Sequence, residues 1–358
     1  EGAAPEAGAE EMTVAPGSYL IFLTQPFRAD VQALFERQRY PDRRTTPGGD
    51  AERPYDVAGW TLPLQMGLES YAVKTIREPV PPRRFVPVRD ENEVRRALNL
   101  RPRVHPDRSP VAPPFRQTAR LAIYRGWTDS RDEGWTRYVF DSFNVRYDSL
   151  RDREVRRGDL RAKYDVIVLP SQSEREMAAG IAANSAPAEY TGGMTEAGVA
   201  NLRQFVEAGG TLICFDEATE LAINRFALPL RNDLAALKPA EFYCPGSILR
   251  LDVETTHPLA RGLGADVNAY FIHSRAFAVL DDARARVVAR YADRDLLQSG
   301  WLLGAEHLRG KPALIEAPLG QGRVILFGFR PQHRGQTWAT YPFIFNAVEG
   351  DFGRDKVL

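Results

Sequence analysis

The stretch QFVEAGGTLICFDEATELAINRF, Gln204 to Phe226, leaves the backbone few choices. Phe205, Val206 and Ala208 end an amphipathic helix. Gly209-Gly210 stops it, because glycine takes the left-handed conformation of a helix end without steric cost. Thr211 to Phe215 is a short apolar run of the kind found in a strand covered on both faces. Asp216 and Glu217 turn the chain, and Ala218 to Arg225 reads as the next helix. Helix, glycine pair, buried strand, sharp turn and helix make the repeating unit of a parallel α/β sheet. Ligands of such sheets bind beyond the carboxyl ends of the strands, so chemistry is sought first at residues 214–220.

The alternation extends upstream. Leu121 to Tyr124, Val145 to Tyr147 and Tyr164 to Leu169 read as strands. Gly134 to Phe143 reads as a helix, Arg153 to Leu160 as a polar helix or turn, and a further helix starts at Thr195 as its N-cap. Residues 120–226 therefore give βαβαβαβα, the pattern of a doubly wound sheet. Downstream, Ser247 to Val253, Val267 to Ile272, Ala276 to Leu280, Ala285 to Tyr291 and Lys311 to Glu316 are further strands, several expected to be antiparallel and peripheral. Gly320-Gln321-Gly322 is a hairpin turn into Arg323 to Phe329, and Thr337 to Val348 closes the domain as a helix. The main α/β domain is thus expected over residues 119–350.

Three segments precede it. Residues 1–17 are rich in Ala, Gly, Glu and Pro and are expected to be disordered. Residues 18–78 form an N-terminal packing segment: a strand at Tyr19 to Leu23, a helix at Arg28 to Arg39, and YDVAGWTLPLQMG. Pro63 in the last of these predicts an edge strand or extended packing segment. Residues 79–118 are dense in proline and read as a linker or a strap over a neighbouring domain.

The balance of 47 basic and 47 acidic side chains over 358 residues provides no net field to attract nucleic acid or an anionic membrane. Arg151 to Lys163 is basic but interleaved with acids, as on a solvated helix face. No apolar run is long enough to span a bilayer. The opening Glu1 reads as a cut end.

Cys214, on the central strand, is a candidate nucleophile. A nucleophile elbow needs small neighbours, as in G-x-S-x-G, whereas Cys214 is flanked by Leu212, Ile213 and Phe215. The competing reading is a buried small hydrophobe. Catalysis would also need a histidine base, and His257, His273, His307 and His333 stand isolated in sequence. Asp216, Glu217 and Glu220 either do acid–base or cation chemistry or cap the next helix. In FGFRPQHRGQT, Arg330, His333, Arg334 and Gln336 should converge near the edge that holds Asp216. They form either an anion or peptide-carboxylate site, or an internal salt-bridge network with Asp216 or Glu217. No zinc signature of the H-E-x-x-H kind and no phosphate-binding glycine loop is present.

The segments SYLIFLTQPFRADVQALFERQRYP, RPYDVAGWTLPLQMG, YDVIVLPSQS, EYTGGMTEAGVANLRQFVEAGGTLICFDEATELAI, EFYCPGSILRLDV and LLQSGWLLGAEHLRGKPALIEAPLGQGRVILFGFRPQHRGQTW together resemble the C-terminal part of large bacterial zinc carboxypeptidase-like proteins. There, a metallocarboxypeptidase domain is followed by a class I glutamine amidotransferase-like domain. The resemblance implies a flavodoxin-like, mostly parallel sheet with helices on both faces, peripheral antiparallel strands and an N-terminal extension. It also implies that zinc belongs to an upstream peptidase domain, with no cofactor in this chain, and that the setting is periplasmic or extracellular. The elbow position of the amidotransferase-like fold is taken by Asp216 or Glu217. The expected role is a non-catalytic scaffold or substrate-recognition portion contacting a carboxypeptidase domain or other protein through residues 55–115. The alternatives are a stand-alone hydrolase or amidotransferase using Cys214, and a structural subunit recruited into a larger assembly.

Overall fold

The computed structural model describes Thr13, residues 18–74 and residues 117–349. The acidic opening and almost all of the expected proline-rich strap lie outside the described residues. Two helices come first, α1 (Arg28–Phe35) and α2 (Leu62–Met66). The regular alternation follows as β1 (Leu121–Tyr124), α3 (Arg131–Ser142), β2 (Asp148–Leu150), α4 (Asp152–Arg157), α5 (Leu160–Lys163), β3 (Val166–Leu169), α6 (Glu174–Ala179), α7 (Thr195–Glu207), β4 (Thr211–Phe215) and α8 (Ala218–Arg225). Next come β5 (Leu230–Asn232), β6 (Ser247–Val253), β7 (Asp266–Phe271), β8 (Phe277–Val279), β9 (Arg286–Tyr291) and β10 (Leu297–Ser299). A hairpin of β11 (Pro312–Leu319) and β12 (Gly322–Phe327) leads to α9 (Tyr341–Glu349).

These form a mixed α/β architecture. The central strands β12, β4, β3, β1 and β2 are parallel neighbours in that order. Every residue of β1, β3 and β4 is buried, as unbroken apolar runs require when both faces are covered. Side chains alternate across the sheet. Leu121, Ile123, Ile213 and Phe215 join one core with Val139, Phe140, Phe343 and Ile344 of α3 and α9. Ala122, Tyr124, Leu212 and Cys214 join the other with Val155, Leu160, Val199, Leu202 and Leu221 of α4, α5, α7 and α8.

The antiparallel strands do more than the sequence pattern led one to expect. Most continue the same sheet: β12 pairs with β11, β11 with β9 and β9 with β6, whereas β5 and β8 pair with each other in a separate two-stranded sheet. Strand β6 pairs along one edge with β7 and along the other with β10 and β9 in succession. The hairpin between β11 and β12 turns at Gly320, whose φ of +62° suits glycine.

Other expectations are corrected. Tyr19 to Leu23 is irregular, with side chains between 39 % and 53 % exposed, because its β-prone residues meet no partner strand among the described residues. Pro63 does not mark an extended segment; it sits in the first turn of α2, where its missing N–H costs nothing. The N-terminal extension docks instead through polar contacts to β10. The Gln38 N–H donates to Ser299 Oγ at 2.9 Å, and the Thr61 and Ser299 hydroxyls lie 2.8 Å apart. Val145 is buried in the core ahead of β2, which starts at Asp148, just past the end of the expected strand. Thr195 does not cap α7; Met194 holds that position, its N–H tied to the Met177 carbonyl at 2.8 Å, and Thr195 itself has φ +61°.

The pair Gly209-Gly210 ends α7 as the sequence implies, with Gly209 at φ +97°. Gly210 serves by its size: a β-carbon there would overlap the buried ring of Phe205. Gly210→Ala is therefore expected to destabilise the fold by about 1–3 kcal/mol, the usual cost of overpacking. A thermal melt should show the midpoint several degrees lower, whereas an unchanged midpoint would mean the ring has room to move.

Candidate functional site

The carboxyl ends of β4 and β12 lie side by side, so the turns that leave them meet. After Phe215 the chain must swing from strand to helix, and Asp216 takes the strain at φ +49°. Its N–H donates to the Phe327 carbonyl at 2.8 Å, and its carbonyl accepts from the Thr219 N–H at 3.1 Å and the Thr219 hydroxyl at 2.5 Å. The first turn of α8 is thus closed by the Asp216 main chain, which frees the carboxylate to point elsewhere.

That carboxylate is fully buried. Arg330, three residues past β12, donates from Nε to Asp216 Oδ2 at 2.8 Å and from Nη1 to Asp132 Oδ2 at 2.8 Å. Asp132 lies in the first turn of α3, whose N-cap Ser130 accepts from the Glu133 N–H at 3.2 Å. Ser171, just beyond β3, donates to Asp216 Oδ2 at 3.3 Å. On the other side Arg275 approaches Asp216 at 3.6 Å, Glu217 at 3.4 Å and Glu220 at 3.6 Å. Two guanidinium groups are thereby enclosed by four carboxylates. One oxygen of Asp132 and one of Asp216 are buried without a hydrogen bond.

Burial dominates the titration of the acids. It pushes Asp132 up to about 7 against the pull of Arg330, and raises Asp216 despite Arg330 and Arg275. Burial would lower Arg330, but Asp216 and Asp132 outweigh it and raise its pKa. The guanidinium is the fixed charge of the bridge, and burial raises both of the carboxylates that share it.

The structure brings Asp216, Glu217 and Arg330 together. It places His333 apart from them, stacked on Tyr270 at 3.8 Å and edge-on to Trp135 at 5.0 Å. Burial, with Arg334 and Arg330 nearby, pushes its pKa down to about 3, so the ring is neutral. Arg334, at φ +51°, and Gln336 are exposed. Cys214 lies within β4, in register with Leu169 and Leu326, fully buried with its thiol pKa raised by desolvation. Cys244 is likewise buried and free, pushed up to about 12 by burial.

Sequence reasoning missed Asp132, Ser171 and Arg275. A capping pattern around Ser130-Arg131-Asp132-Glu133 could have marked Asp132; nothing local marks Arg275. Among the described residues, no group of three or more His, Cys, Asp or Glu could hold a metal ion. No described helix is long and apolar enough to cross a membrane.

No family model and no curated protein matches this chain. Among solved structures it is similar to a ThuA-like protein from Bacteroides uniformis, at 14 % identity and TM-score 0.37, over 68 % of this chain and 95 % of that one. It is also similar to a cytoplasmic protein from Salmonella typhimurium, at 15 % identity and TM-score 0.41, over 64 % of this chain and 98 % of that one. A third similarity is to a β-galactosidase from Bacillus circulans, at 15 % identity and TM-score 0.40, covering 65 % of this chain. The chain spans 31 % of that enzyme's length. Similarities this distant carry nothing about chemistry.

Two outcomes follow from the bridge. Arg330→Met leaves two buried carboxylates without their shared cation and should cost about 3–5 kcal/mol in chemical denaturation; a loss near zero would show the carboxylates to be solvated. Between the usual carboxylate range and about 7, the folded protein holds a proton on Asp132 that the unfolded chain has released. Its contribution therefore falls as pH rises through that window. Asp132→Asn should accordingly gain stability relative to the parent as pH rises from about 4 to about 7. A difference that stays flat with pH would refute the assignment.

Proposed function

We propose that this chain is a non-catalytic accessory module, a scaffold or substrate-recognition portion of a zinc carboxypeptidase-like protein acting in a periplasmic or extracellular setting. The observation that carries the non-catalytic part is the Arg330 bridge. In a doubly wound sheet the crevice beyond the strand ends is where substrate enters. Here its β4–β12 part is filled by the protein's own ion pairs. The parallel order β2-β1-β3-β4-β12 corresponds to the 2-1-3-4-5 order of flavodoxin-like sheets, which supports a class I amidotransferase-like core. In that core Asp216 occupies the strained strand-to-helix elbow where a nucleophile would stand. A carboxylate that is wholly buried and clamped by arginine has no approach to a substrate.

The partner half of the proposal is supported by the N-terminal extension. Tyr55, Leu68 and Tyr71 are more than half exposed and Trp60 is 44 % exposed. Such side chains gathered in one short segment are a common mark of a contact surface. The peptidase as the neighbour follows from the sequence resemblance.

The hydrolase reading through Cys214 makes the opposite demand, a reactive thiolate. Treating the folded protein with iodoacetamide and mapping the label should give negligible modification of Cys214 and Cys244 until denaturant is added. Rapid, selective labelling of Cys214 in the native state would overturn the non-catalytic proposal. For the partner, a purified carboxypeptidase domain of the resembled family should bind the parent chain and lose affinity for a Tyr55→Ser, Tyr71→Ser double variant. Absence of any complex with the parent would remove the accessory role.

A further inference from the structure

The connection between β6 and β7 carries a histidine whose ring nitrogens both have partners. His257 stands ahead of the short 3-10 turn Pro258–Ala260, and its Nδ1 accepts from the Leu259 N–H at 3.2 Å. Its Nε2 lies 3.1 Å from Glu316 Oε2 on β11. A ring nitrogen that accepts a hydrogen bond carries no proton. The ring is therefore neutral, with its one proton on Nε2 and donated to Glu316. Serine, threonine, asparagine and aspartate are the usual side chains at such a cap. None of them changes charge between about pH 5 and pH 8, as an imidazole does.

The capped turn fastens α9. Leu259 and Ala260 are buried in the same core as Phe343 and Ile344 of that helix. Asn346 of α9 donates from Nδ2 to the Leu259 and Arg261 carbonyls, both at 2.9 Å, and its Oδ1 accepts from Arg261 at 3.1 Å. Arg261 also pairs with Glu349, the last residue of the helix. Charged groups surround the ring on several sides. Glu316 faces Nε2 from β11, Arg323 of β12 holds its other oxygen at 3.1 Å, and Arg286 of β9 approaches it at 4.0 Å. Glu254, on the ring's own connection, interacts with it through charge, and α9 brings Glu349, already paired with Arg261. Burial would raise Glu316, but His257 and Arg323 outweigh it and hold its pKa below the usual value. A carboxylate thus stands at Nε2 for an imidazolium as well as for a neutral ring.

We propose that His257 is a pH-sensitive clasp for the last turn of α9. In the neutral ring Nδ1 caps the Leu259 N–H and the turn is closed. A second proton, taken from solvent in mild acid, goes to Nδ1, the one ring lone pair, and sets an N–H against the Leu259 N–H. The ring keeps Glu316, now as an ion pair, so it stays in place while the cap is lost. The opening is local. Residues 258–261 loosen, and Asn346 and Glu349 lose the carbonyls and the guanidinium that hold them. Phe343 and Ile344 stay in the core. The inference is independent of the accessory role and holds equally for a chain that works alone.

The test uses the full chain, isotope-labelled for NMR. At about pH 7.5 the His257 ring should show the neutral tautomer protonated on Nε2, and at about pH 5 the imidazolium. Hydrogen exchange at the Leu259 amide, corrected for the intrinsic rate at each pH, should lose protection by about five- to tenfold over that interval, the size of a lost helix cap. Protection of the β4 amides should stay constant. His257→Asn keeps a side-chain acceptor at the cap without the titration, and should abolish the loss at Leu259. The proposal is overturned by a ring protonated on Nδ1 at about pH 7.5, by constant protection of Leu259, or by the same loss in His257→Asn. The tautomer and the exchange are read on the parent chain, so they decide the matter even if His257→Asn folds poorly.

Discussion

Arg330 is the point on which the carboxyl edge of the sheet depends. One guanidinium joins the exit of β12, the turn after β4 and the head of α3, segments separated by 114 and 198 positions in sequence. In a site so poorly hydrated, neither carboxylate tolerates charge without it, and the guanidinium is costly to bury without them. The mutual dependence fixes where α3 lies against the sheet and leaves Asp216 no freedom to relax its φ of +49°. The same contact that settles the geometry also places buried ion pairs at the carboxyl ends of β4 and β12.

Around this bridge the two halves of the sheet obey different rules. The parallel half is buried on both sides and reads as uninterrupted apolar runs. In the antiparallel half, β6, β7 and β9 mix exposed with buried positions. The join is β12, parallel to β4 on one edge and antiparallel to β11 on the other, so one strand carries both pairings. Glu316 on β11 marks the polar side of the join, held at 3.1 Å by both His257 and Arg323.

What the sequence disclosed, and what it hid, follows from the range of the forces. Thr211 to Phe215, the glycine pair before it and the helix after it were legible because their determinants are neighbours in the chain. Pro63 was misread because proline is equally at home in the first turn of a helix, and only packing decides. Tyr19 to Leu23 carried strand composition without a strand's partner. Asp216, Glu217 and Arg330 could be gathered at one edge from topology alone, since consecutive parallel strands end together. Asp132 and Arg275 could not, because no local pattern announces which distant acid or base will complete a buried pair. His333 followed its flat, apolar side rather than its charge, stacking on Tyr270.

The N-terminal extension is fastened along β10, where the Gly300 N–H donates to the Gln38 carbonyl at 2.9 Å and Gly59 lies so close that any side chain would strike the Ser299 carbonyl. Beyond β6, the free edge of β10 pairs with no other named strand among the described residues, and an unpaired edge is a template on which another chain can add a strand. The extension works as a selvedge at that border, occupying donors and acceptors that would otherwise recruit a neighbour. Trimming the protein back to the sheet that looks self-sufficient would therefore yield a stickier molecule, and the dispensable-looking leader is part of what keeps the fold to itself.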